Sequence, residues 1–551
     1  MDKKRYGKAV TASCLALFVV LFAVYYFIHR STGLISSDNT TMFPMLIDFF
    51  NGNFLLNGWN VNTSTYIFTD TVWCIPGMLL GIHVPVIMSM CGAFFHAGFV
   101  SIFMYLILND EYEMGHIKSP VTAFAAAALY LMLFSVVPYA GFTIDNPFYL
   151  YLNLNGHAGT FLFIAVQMLL LYLWRKSDYK RKLYPVLFTV YGVMGQMSDS
   201  MPLMLFFGPL CVYGAYYLFW PKVERNKRKD IFLITSSVLI VIVSAVVNKI
   251  IGMIGGLELV GIPMSLNTPG QIVSSLKPMM IKTLILFGFD TKYGIALTPY
   301  SVTASAIALL AAVSVIYQIV LALRSKPDRF GLLLTIGIVS NLAGFFLVNT
   351  DGEAASRYLL TIPFFGTALI VKSVLALAAH KRKAARAITV FVFAIAVTYA
   401  AVNIARLKDV PHYAKDGEAV ALYLEENGVK TGYGSIWIYT AVSSYTDFDT
   451  LLIPIQWDGL GVGFYHHYMF VNPKWYENSD IHYVVIPSNE DDLYSEGGKR
   501  SDFIKFAGEP DEDIVFGAYE VMYYERDLSV FSITHAMETG TNMWDQVNGS
   551  A

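Results

Sequence analysis

Charged residues are scarce in this sequence. Asp, Glu, Lys and Arg together make up 14% of the 551 residues, about half the share found in an average soluble domain. The hydrophobic fraction is 55% and the mean hydropathy is +0.51. This composition excludes a disordered or collagen-like chain, and it argues strongly against a soluble globular enzyme.

Cysteine is also scarce. The four cysteines, Cys14, Cys74, Cys91 and Cys211, are far apart in the sequence, and the last 340 residues contain none. Their spacing fits neither a disulfide scaffold nor a structural zinc site, so we expect buried thiols. No small-residue cleavage site follows the first apolar run, residues 9–28, and we interpret that run as an uncleaved first span.

The few charges are unevenly distributed. Residues 404–551 contain 24 acidic and 9 basic residues, whereas residues 1–403 contain 17 acidic and 29 basic residues. A basic, apolar part followed by an acidic, polar part predicts a membrane domain over 1–403 and a soluble α/β domain over 404–551.

Apolar runs long enough to cross a bilayer recur along the first part. We predict about eleven transmembrane helices in an α-helical polytopic membrane protein, near 9–28, 84–108, 120–138, 158–174, 184–198, 201–220, 231–251, 301–322, 330–348, 358–378 and 387–403.

The basic loops between these runs predict the orientation. Loops at 175–182, 222–229, 324–329 and 381–386 are rich in Lys and Arg, which favours a cytoplasmic location for them and for the N-terminus. Counting residues 66–82 as a further span would put every later basic loop outside. That segment contains Asp70 and Pro76, so we predict an interfacial or re-entrant helix there. The outer loops are then 29–83, 139–157, 252–300 and 349–357, and the C-terminal domain is extracytoplasmic.

The C-terminal part shows helix and strand patterns. Residues 416–427 have apolar positions at helical spacing and end at Asn427-Gly428, a helix stop signal. Short apolar runs predict strands at 435–440, 451–455, 483–486 and 520–524.

Polar residues near the predicted outer face are the candidate functional groups, because ionisable groups at membrane depth are costly. They are Asp38, Asp145, His157, Asp199, Arg357 and Tyr358. Each has a structural alternative. Asp38 could cap an interfacial helix, Asp145 and Asp199 could be turn residues, and His157 could be a satisfied loop histidine. Arg357 could pair with Asp351 or Glu353 to hold its loop.

These residues resemble motifs of the GT-C superfamily of polytopic glycosyltransferases. The group includes protein O-mannosyltransferases and the transferase that adds aminoarabinose to lipid A. The similar features are an acid after the first span (Asp38), an acid in the context Thr143-Ile144-Asp145-Asn146-Pro147, and a late Arg357-Tyr358. The run 432–437 is similar to soluble domains appended to bacterial members. Many members have a second acid where this chain has Asn39.

The resemblance implies an inverting transferase in the cell membrane. A polyprenyl-phosphate sugar would be the donor, and a glycan, lipid or protein the acceptor, on the outer face. Asp38 would be the general base, and Arg357 would bind the donor phosphate. Lys277, Lys282 and Lys292 would add positive charge, while Asp145 and His157 would orient acceptor or sugar. We predict no cofactor, although a divalent cation stays open, and no nucleic-acid partner.

Three other functions stay open from sequence alone. A transporter would favour mid-span charges and related halves, whereas Lys249 and Lys372 lie toward the ends of predicted spans and no repeat is visible. A polymerase or ligase of lipid-linked glycans would share the donor type and the location. A non-catalytic assembly factor would tolerate the loss of Asp38 and Arg357.

Overall fold

A bundle of long helices makes up most of the protein. The computed structural model of the chain describes residues 3–32, 37–61, 64–136, 157–220, 226–259, 265–287, 299–349, 359–406, 413–435, 437–457, 464–466, 471–490 and 499–533. The helices before the sheet are α1 Lys3–Thr32, α2 Ser37–Thr40, α3 Met42–Phe50, α4 Ile75–Leu79, α5 Val84–Glu113, α6 Pro120–Val136, α7 Ala158–Lys176, α8 Leu183–Ser198, α9 Gly208–Phe219, α10 Lys227–Met253, α11 Pro269–Leu286, α12 Pro299–Leu323, α13 Arg329–Leu347, α14 Thr361–His380 and α15 Arg382–Arg406. A π-helical turn, Leu203–Phe207, leads into α9.

The eleven predicted spans all overlap helices of this bundle. Within the described part of the chain, seven helices are long and apolar enough to cross a membrane, and two shorter apolar stretches lie at Pro120–Leu133 and Leu203–Phe219. The bundle is therefore that of a multi-pass membrane protein by length and composition, and the number eleven stays a prediction. Of these seven described helices, α5 is the most enclosed, with 83% of its apolar window buried against α1, α7 and the other helices around it.

A mixed sheet follows the bundle. Its seven strands are β5 Thr431–Ser435, β6 Leu451–Trp457, β7 Phe464–His466, β8 Tyr483–Pro487, β9 Glu512–Phe516, β10 Tyr519–Tyr523 and β11 Ser532–Ile533. Their order is β11-β7-β6-β5-β8-β10-β9, and β5 runs parallel to both β6 and β8. Four two-residue strands form separate pairs near the bundle, β1 Asn60–Val61 with β2 Glu258–Leu259 and β3 Ser265–Leu266 with β4 Val348–Asn349.

Helices α16 Tyr413–Glu426, α17 Tyr439–Ser443 and α18 Arg500–Ala507 accompany the sheet. Helix α16 ends where the Asn-Gly signal predicts, and Gly428 adopts φ +70° directly after it. The predicted strand at 435–440 is wrong: the strand is β5, and 439–443 is helical. A Cβ added at Gly434 would lie 3.1 Å from Tyr439 Cα. Glycine thus lets α17 pack directly on β5, although glycine is unusual in strand interiors.

The segment after α3 also differs from its prediction. Residues 66–82 do not form one interfacial helix, because a 3₁₀ turn at Thr71–Trp73 and the five-residue α4 divide it. The loop predicted over 252–300 contains the 18-residue helix α11, which begins with a capping box between Thr268 and Gln271.

The cysteine thiols are free. Cys14, Cys74 and Cys91 are buried, as predicted, while Cys211 is half-buried. The Sγ atoms of Cys74 and Cys91 lie 3.8 Å apart, which packs the 66–82 segment against α5.

The sheet lies against one end of the helical bundle, which we call the sheet end. The N-terminus of α5 marks this end, because the Val84 N–H donates to Asp447 Oδ1 at 2.9 Å. The other end, marked by Arg175, Lys229 and Arg329, is called the basic end. Asp110 near the C-terminus of α5 lies 26 residues from Val84, which corresponds to about 39 Å of helix.

Candidate functional site

A buried polar cluster lies at the sheet end, where α7 begins and α8 ends. Asp199 Oδ2 lies 2.7 Å from His157 Nδ1 and accepts a short hydrogen bond from the Thr160 hydroxyl. Asp199 Oδ1 accepts from Ser64 Oγ at 3.2 Å and from the Met201 N–H at 3.0 Å. We call Ser64, His157, Thr160 and Asp199 the Asp199 cluster.

Local backbone geometry creates the cluster. Asp199 leaves α8 in an extended conformation, with φ −144° and ψ 133°, so that its side chain turns back toward α7. His157 precedes α7 with φ +70°, a left-handed conformation that non-glycine residues rarely adopt. Such a residue costs of order 1–3 kcal/mol and persists where its surroundings hold it. The contact with Asp199 keeps His157 in this conformation.

Electrostatics keep Asp199 ionised. Burial raises the pKa of this carboxyl, but the His157 ring and the donors around it outweigh burial, and the net pKa lies below the ordinary value of aspartate. Its side chain is fully buried, and each of its two oxygens already has two hydrogen-bond partners. A carboxylate held in this way fixes the position of its neighbours. The geometry therefore favours a positioning role for Asp199, with His157 as the group that it orients.

The segment that follows Ser64 is docked tightly on this cluster. The Tyr66 N–H donates to Ser198 O at 2.9 Å, and the Phe68 N–H donates to Ser198 Oγ at 2.7 Å. The Tyr66 ring packs edge-on to the His157 ring, with 5.5 Å between their centroids. These contacts make residues 64–70 one wall of the site.

Gly159 allows the close approach of that wall. Its N–H lies 3.3 Å from Asp70 Oδ1. A Cβ added at Gly159 would lie 2.1 Å from Thr69 O and 2.6 Å from Asp70 Oδ2, so no other residue fits without moving the segment. Asp70 is completely buried. Sequence reasoning noted it only as a break in an apolar run and missed it as part of the site.

The helix that carries Asp38 contacts the sheet region. Asp38 lies in α2, and its neighbour Ser37 donates its N–H to Trp437 O at 3.1 Å. Thr40 Oγ1 donates to Thr440 Oγ1 at 2.7 Å. Because the two residues are 400 positions apart, sequence analysis could not predict this contact. The C-terminal part of the chain thus packs directly on the segment expected to hold the catalytic base.

An apolar cavity of about 320 Å³ adjoins this segment. Helix α3, the 64–79 segment, and residues of α8 and α10 form its walls. Its lining is almost entirely apolar: Met45, Leu46, Phe49, Phe54, Leu55, Leu56, Thr65, Ile67, Phe68, Thr71, Val72, Ile75, Met197, Asn248, Ile251, Leu257 and Leu259. Ligand pockets usually hold about 300–1,000 Å³, so this cavity has room for part of a lipid chain. It shares one wall, residues 65–68, with the Asp199 cluster.

The sequence-predicted residues divide into three groups. His157 and Asp199 are brought together. Lys277 and Lys282 lie on α11, which packs against α12, α13 and α14. Asp145, Lys292, Arg357 and Tyr358, like the side chain of Asp38, lie outside the described residues, and their roles stay predictions.

A second ionic cluster lies at the basic end. Lys372 Nζ is 2.7 Å from Asp110 Oδ2, 3.1 Å from Asp328 Oδ2 and in short contact with Glu111. Within the described residues, these three acids are the one group whose oxygens come close enough to share a metal ion. The Lys372 ammonium contacts all three carboxylates and balances part of their charge. Sequence placed Lys372 toward the end of a span, whereas in the structure it lies near the middle of α14, between Thr361 and His380, and its side chain is 1% exposed.

The fold and the site together define a multi-pass helical membrane protein with a polar cluster and an apolar cavity at one end. No protein-family model matches the sequence, and no curated protein matches it. The structure is similar to the crystal structure of the apo oligosaccharyltransferase of Archaeoglobus fulgidus, with a TM-score of 0.40 and 10% identity, over 85% of this chain and 69% of that one. A similarity this low assigns neither family nor function.

Proposed function

We propose that the protein is a membrane glycosyltransferase that moves a sugar from a polyprenyl-phosphate donor to an acceptor at the sheet end. The observation that carries this proposal is the apolar cavity of about 320 Å³, which α3 and the 64–79 segment enclose. The sequence motifs that resemble the GT-C superfamily supply the class of reaction.

The cavity suits the lipid part of such a donor. Its walls are almost entirely apolar, and burial of a hydrocarbon chain contributes about 25 cal/mol per Å². A phosphate cannot enter such walls without losing its hydration. The isoprenoid chain would therefore lie in the cavity, and the phosphate and sugar would lie at its polar edge.

The segment that carries Asp38 leads into one wall of the cavity. Helix α3 begins at Met42, and its Met45, Leu46 and Phe49 line the cavity. Asp38 precedes the first of them, Met45, by seven residues. In the proposed reaction Asp38 takes the proton of the acceptor hydroxyl as its oxygen attacks the anomeric carbon. The bond to the donor phosphate breaks, and the polyprenyl phosphate leaves.

The other residues have supporting roles in the proposal. Arg357 binds the leaving phosphate through its planar fork. His157, held by Asp199, orients the sugar or the acceptor. The sheet region, in contact with α2 through Trp437 and Thr440, covers the site. The basic loops favour an extracytoplasmic location for the sheet end, where nucleotide sugars are absent and a lipid-linked donor is needed.

A cavity-filling variant tests the lipid site. Val72→Trp would place an indole in the cavity, whereas Val273→Trp makes the same change on α11, where Val273 is 67% exposed. Sugar transfer by purified protein from a panel of polyprenyl-phosphate hexoses would be measured. Val72→Trp should raise the KM for the donor at least tenfold while Val273→Trp leaves it unchanged. Equal donor KM values in the two variants would contradict the proposal.

Arg357 provides a separate test of phosphate binding. Arg357→Lys keeps the charge but loses the fork, and Arg357→Ala loses both. A charge-assisted hydrogen bond contributes about 1.5–3 kcal/mol, so donor affinity should fall by one to two decades in Arg357→Ala and by less in Arg357→Lys. Unchanged donor affinity together with lower thermal stability would instead mean that Arg357 pairs with loop acids.

A further inference from the structure

We propose that Thr440 is a positioning residue for sugar transfer: from the sheet region, it fixes helix α2 and with it Asp38. The inference rests on the function proposed above, in which Asp38 is the general base. Thr440 lies on α17 and Asp38 on α2. Within the described part of the chain, no residue of α17 lines the apolar cavity. Thr440 would therefore act on the reaction through α2 and not through the donor's lipid chain.

The hydroxyl of Thr440 joins the two ends of α2. Thr440 Oγ1 donates to Ser37 O at 3.3 Å and accepts from Thr40 Oγ1 at 2.7 Å. Ser37 is the first residue of this helix and Thr40 is the last. A hydroxyl has one proton to donate and lone pairs that accept, and Thr440 uses both functions on α2. Asp38 lies between the two residues that Thr440 contacts.

Helix α2 depends on contacts from outside because it is short. It has four residues, and the Thr41 N–H closes its turn by donating to Ser37 O at 3.1 Å. Isolated helices shorter than about 12 residues are marginal in water. The first N–H groups of a helix have no partner inside it, and the Ser37 N–H donates to Trp437 O at 3.1 Å. The sheet region thus bonds to both the start and the end of α2.

Thr440 is itself fixed within the sheet region. Helix α17 packs closely on β5 at Gly434, and its Tyr439 and Val442 are buried in the apolar core on that face of the sheet. The Thr440 side chain is completely buried. Because water does not reach it, a lost hydrogen bond at this position is not replaced by solvent. The hydroxyl is therefore a rigid reference point for α2.

The same connection between β5 and β6 is also fixed to the helical bundle. Asp447, seven residues after Thr440, accepts a hydrogen bond from the Val84 N–H at 2.9 Å, and its Oδ1 lies 2.9 Å from His83 Nδ1. The next side chain, Phe448, packs against the buried cluster that α3, α5 and α7 form. The connection therefore sets the position of α2 relative to the start of α5.

This arrangement predicts which kinetic constant changes. A general base acts only within hydrogen-bond reach of the proton that it takes, about 2.6–3.2 Å. A displacement of about 1 Å can cost roughly 10²-fold in rate. Release of α2 should therefore slow the chemical step and lower kcat. The cavity keeps its walls, so the KM for the donor should not change.

The kinetic test compares three variants of the full chain. Thr440→Val removes the hydroxyl and keeps the shape, whereas Thr440→Ser keeps the hydroxyl. Thr450→Val is the matched control, because Thr450 is also buried and its hydroxyl donates to Val429 O at 2.8 Å, inside the sheet region. We expect kcat to fall by about tenfold or more in Thr440→Val, with an unchanged donor KM, and to stay near normal in the other two. Equal losses in Thr440→Val and Thr450→Val would overturn the proposal in favour of general loss of stability.

A double variant shows whether Thr440 acts through the base. Combined with Asp38→Asn, Thr440→Val should lower the residual kcat no further, because the effects of residues that act as a unit are not additive. Losses that multiply would overturn the assignment of Thr440 to Asp38. A normal kcat in Thr440→Val, with Asp38→Asn inactive, would overturn the inference and leave the proposed function standing.

Hydrogen exchange tests the position of α2 without any transfer. The amides of residues 37–41 should exchange about tenfold faster in Thr440→Val than in Thr450→Val, since exchange reports local opening. Equal exchange in the two variants would overturn the inference. Faster exchange in a protein that transfers sugar from no donor would instead contradict the proposed function, and with it the role of Thr440 in catalysis. Thr440→Ala, which adds no methyl group beside Ser37 O, repeats both measurements if Thr440→Val does not fold.

Discussion

Replacement of Asp199 by asparagine tests the polar cluster most sharply, because the change keeps the shape and removes the charge. One side-chain oxygen would still accept from Ser64 and from the Met201 N–H. The new amide group would instead face His157 Nδ1 and the Thr160 hydroxyl, which now meet the carboxylate. A donor would replace an acceptor at a fully buried position.

The expected loss of stability follows from that mismatch of hydrogen-bond donors. A buried donor left without an acceptor costs about 1–3 kcal/mol, and removing one partner of a buried ion pair costs about 3–5 kcal/mol. We therefore expect Asp199→Asn to lower the free energy of unfolding by about 1–3 kcal/mol, and by up to about 5 kcal/mol where His157 is charged. Asp178→Asn is the matched control, because the Asp178 side chain is 78% exposed in its pair with Lys180. Exposed pairs contribute about 0–1 kcal/mol.

The assay is denaturant unfolding in one detergent at several pH values. Because the pKa of Asp199 is lowered in the folded protein, its stabilisation is present above the unfolded-state pKa of about 3.9 and is lost as pH falls through the folded value. The difference between the unchanged protein and Asp199→Asn should persist from pH 8 to pH 5 and shrink below pH 4. Equal stability of Asp199→Asn and Asp178→Asn at pH 7 would refute the buried pair.

Three further predictions concern packing and orientation. In thermal unfolding, Gly159→Ala should lower stability by about 1–3 kcal/mol, because its Cβ would meet Thr69 O. Gly252→Ala is the control and should be neutral or slightly stabilising, since nothing lies within 4 Å of its Cβ. Equal effects of the two changes would mean that the 64–70 segment is not docked as described. A mild oxidant should cross-link Cys74 with Cys91, whose Sγ atoms are 3.8 Å apart, and mass spectrometry of alkylated peptides that shows both thiols unmodified would contradict their contact. Cysteines introduced at Ser177 and Ser325 should be shielded from an impermeant thiol reagent in intact cells, while one at Ser488 should be labelled; the opposite pattern would invert the orientation.

Apolar runs were enough to predict the helical bundle. Such a run marked every predicted span, and the apolar strands near 451–455, 483–486 and 520–524 coincide with β6, β8 and β10. Prediction failed where contacts decide local structure. The glycines of β5 suit a strand only because α17 and β6 approach them closely, and nothing in residues 431–435 alone indicates that.

The candidate site was predictable only in part, for the same reason. His157 and Asp199 stood out as polar residues between apolar runs, but their contact depends on how α7 begins and α8 ends, 42 residues apart. Ser64, Asp70 and Thr160 gave no signal, because a single buried acid or hydroxyl resembles a turn residue in sequence. The contact of α2 with Thr440 joins residues 400 positions apart, which no local pattern can reveal.

The most direct test of the central claim is mass spectrometry of cell-envelope glycans. Cells that lack the gene would be compared with cells that carry the unchanged protein, Asp38→Asn or, as a control with the same substitution, Asp178→Asn. The account predicts that one sugar modification disappears without the gene, returns with the unchanged protein and with Asp178→Asn, and does not return with Asp38→Asn, since a general base contributes about 10²–10⁴-fold to rate. A glycan profile that is identical in the presence and absence of the gene, or full restoration by Asp38→Asn, would contradict it.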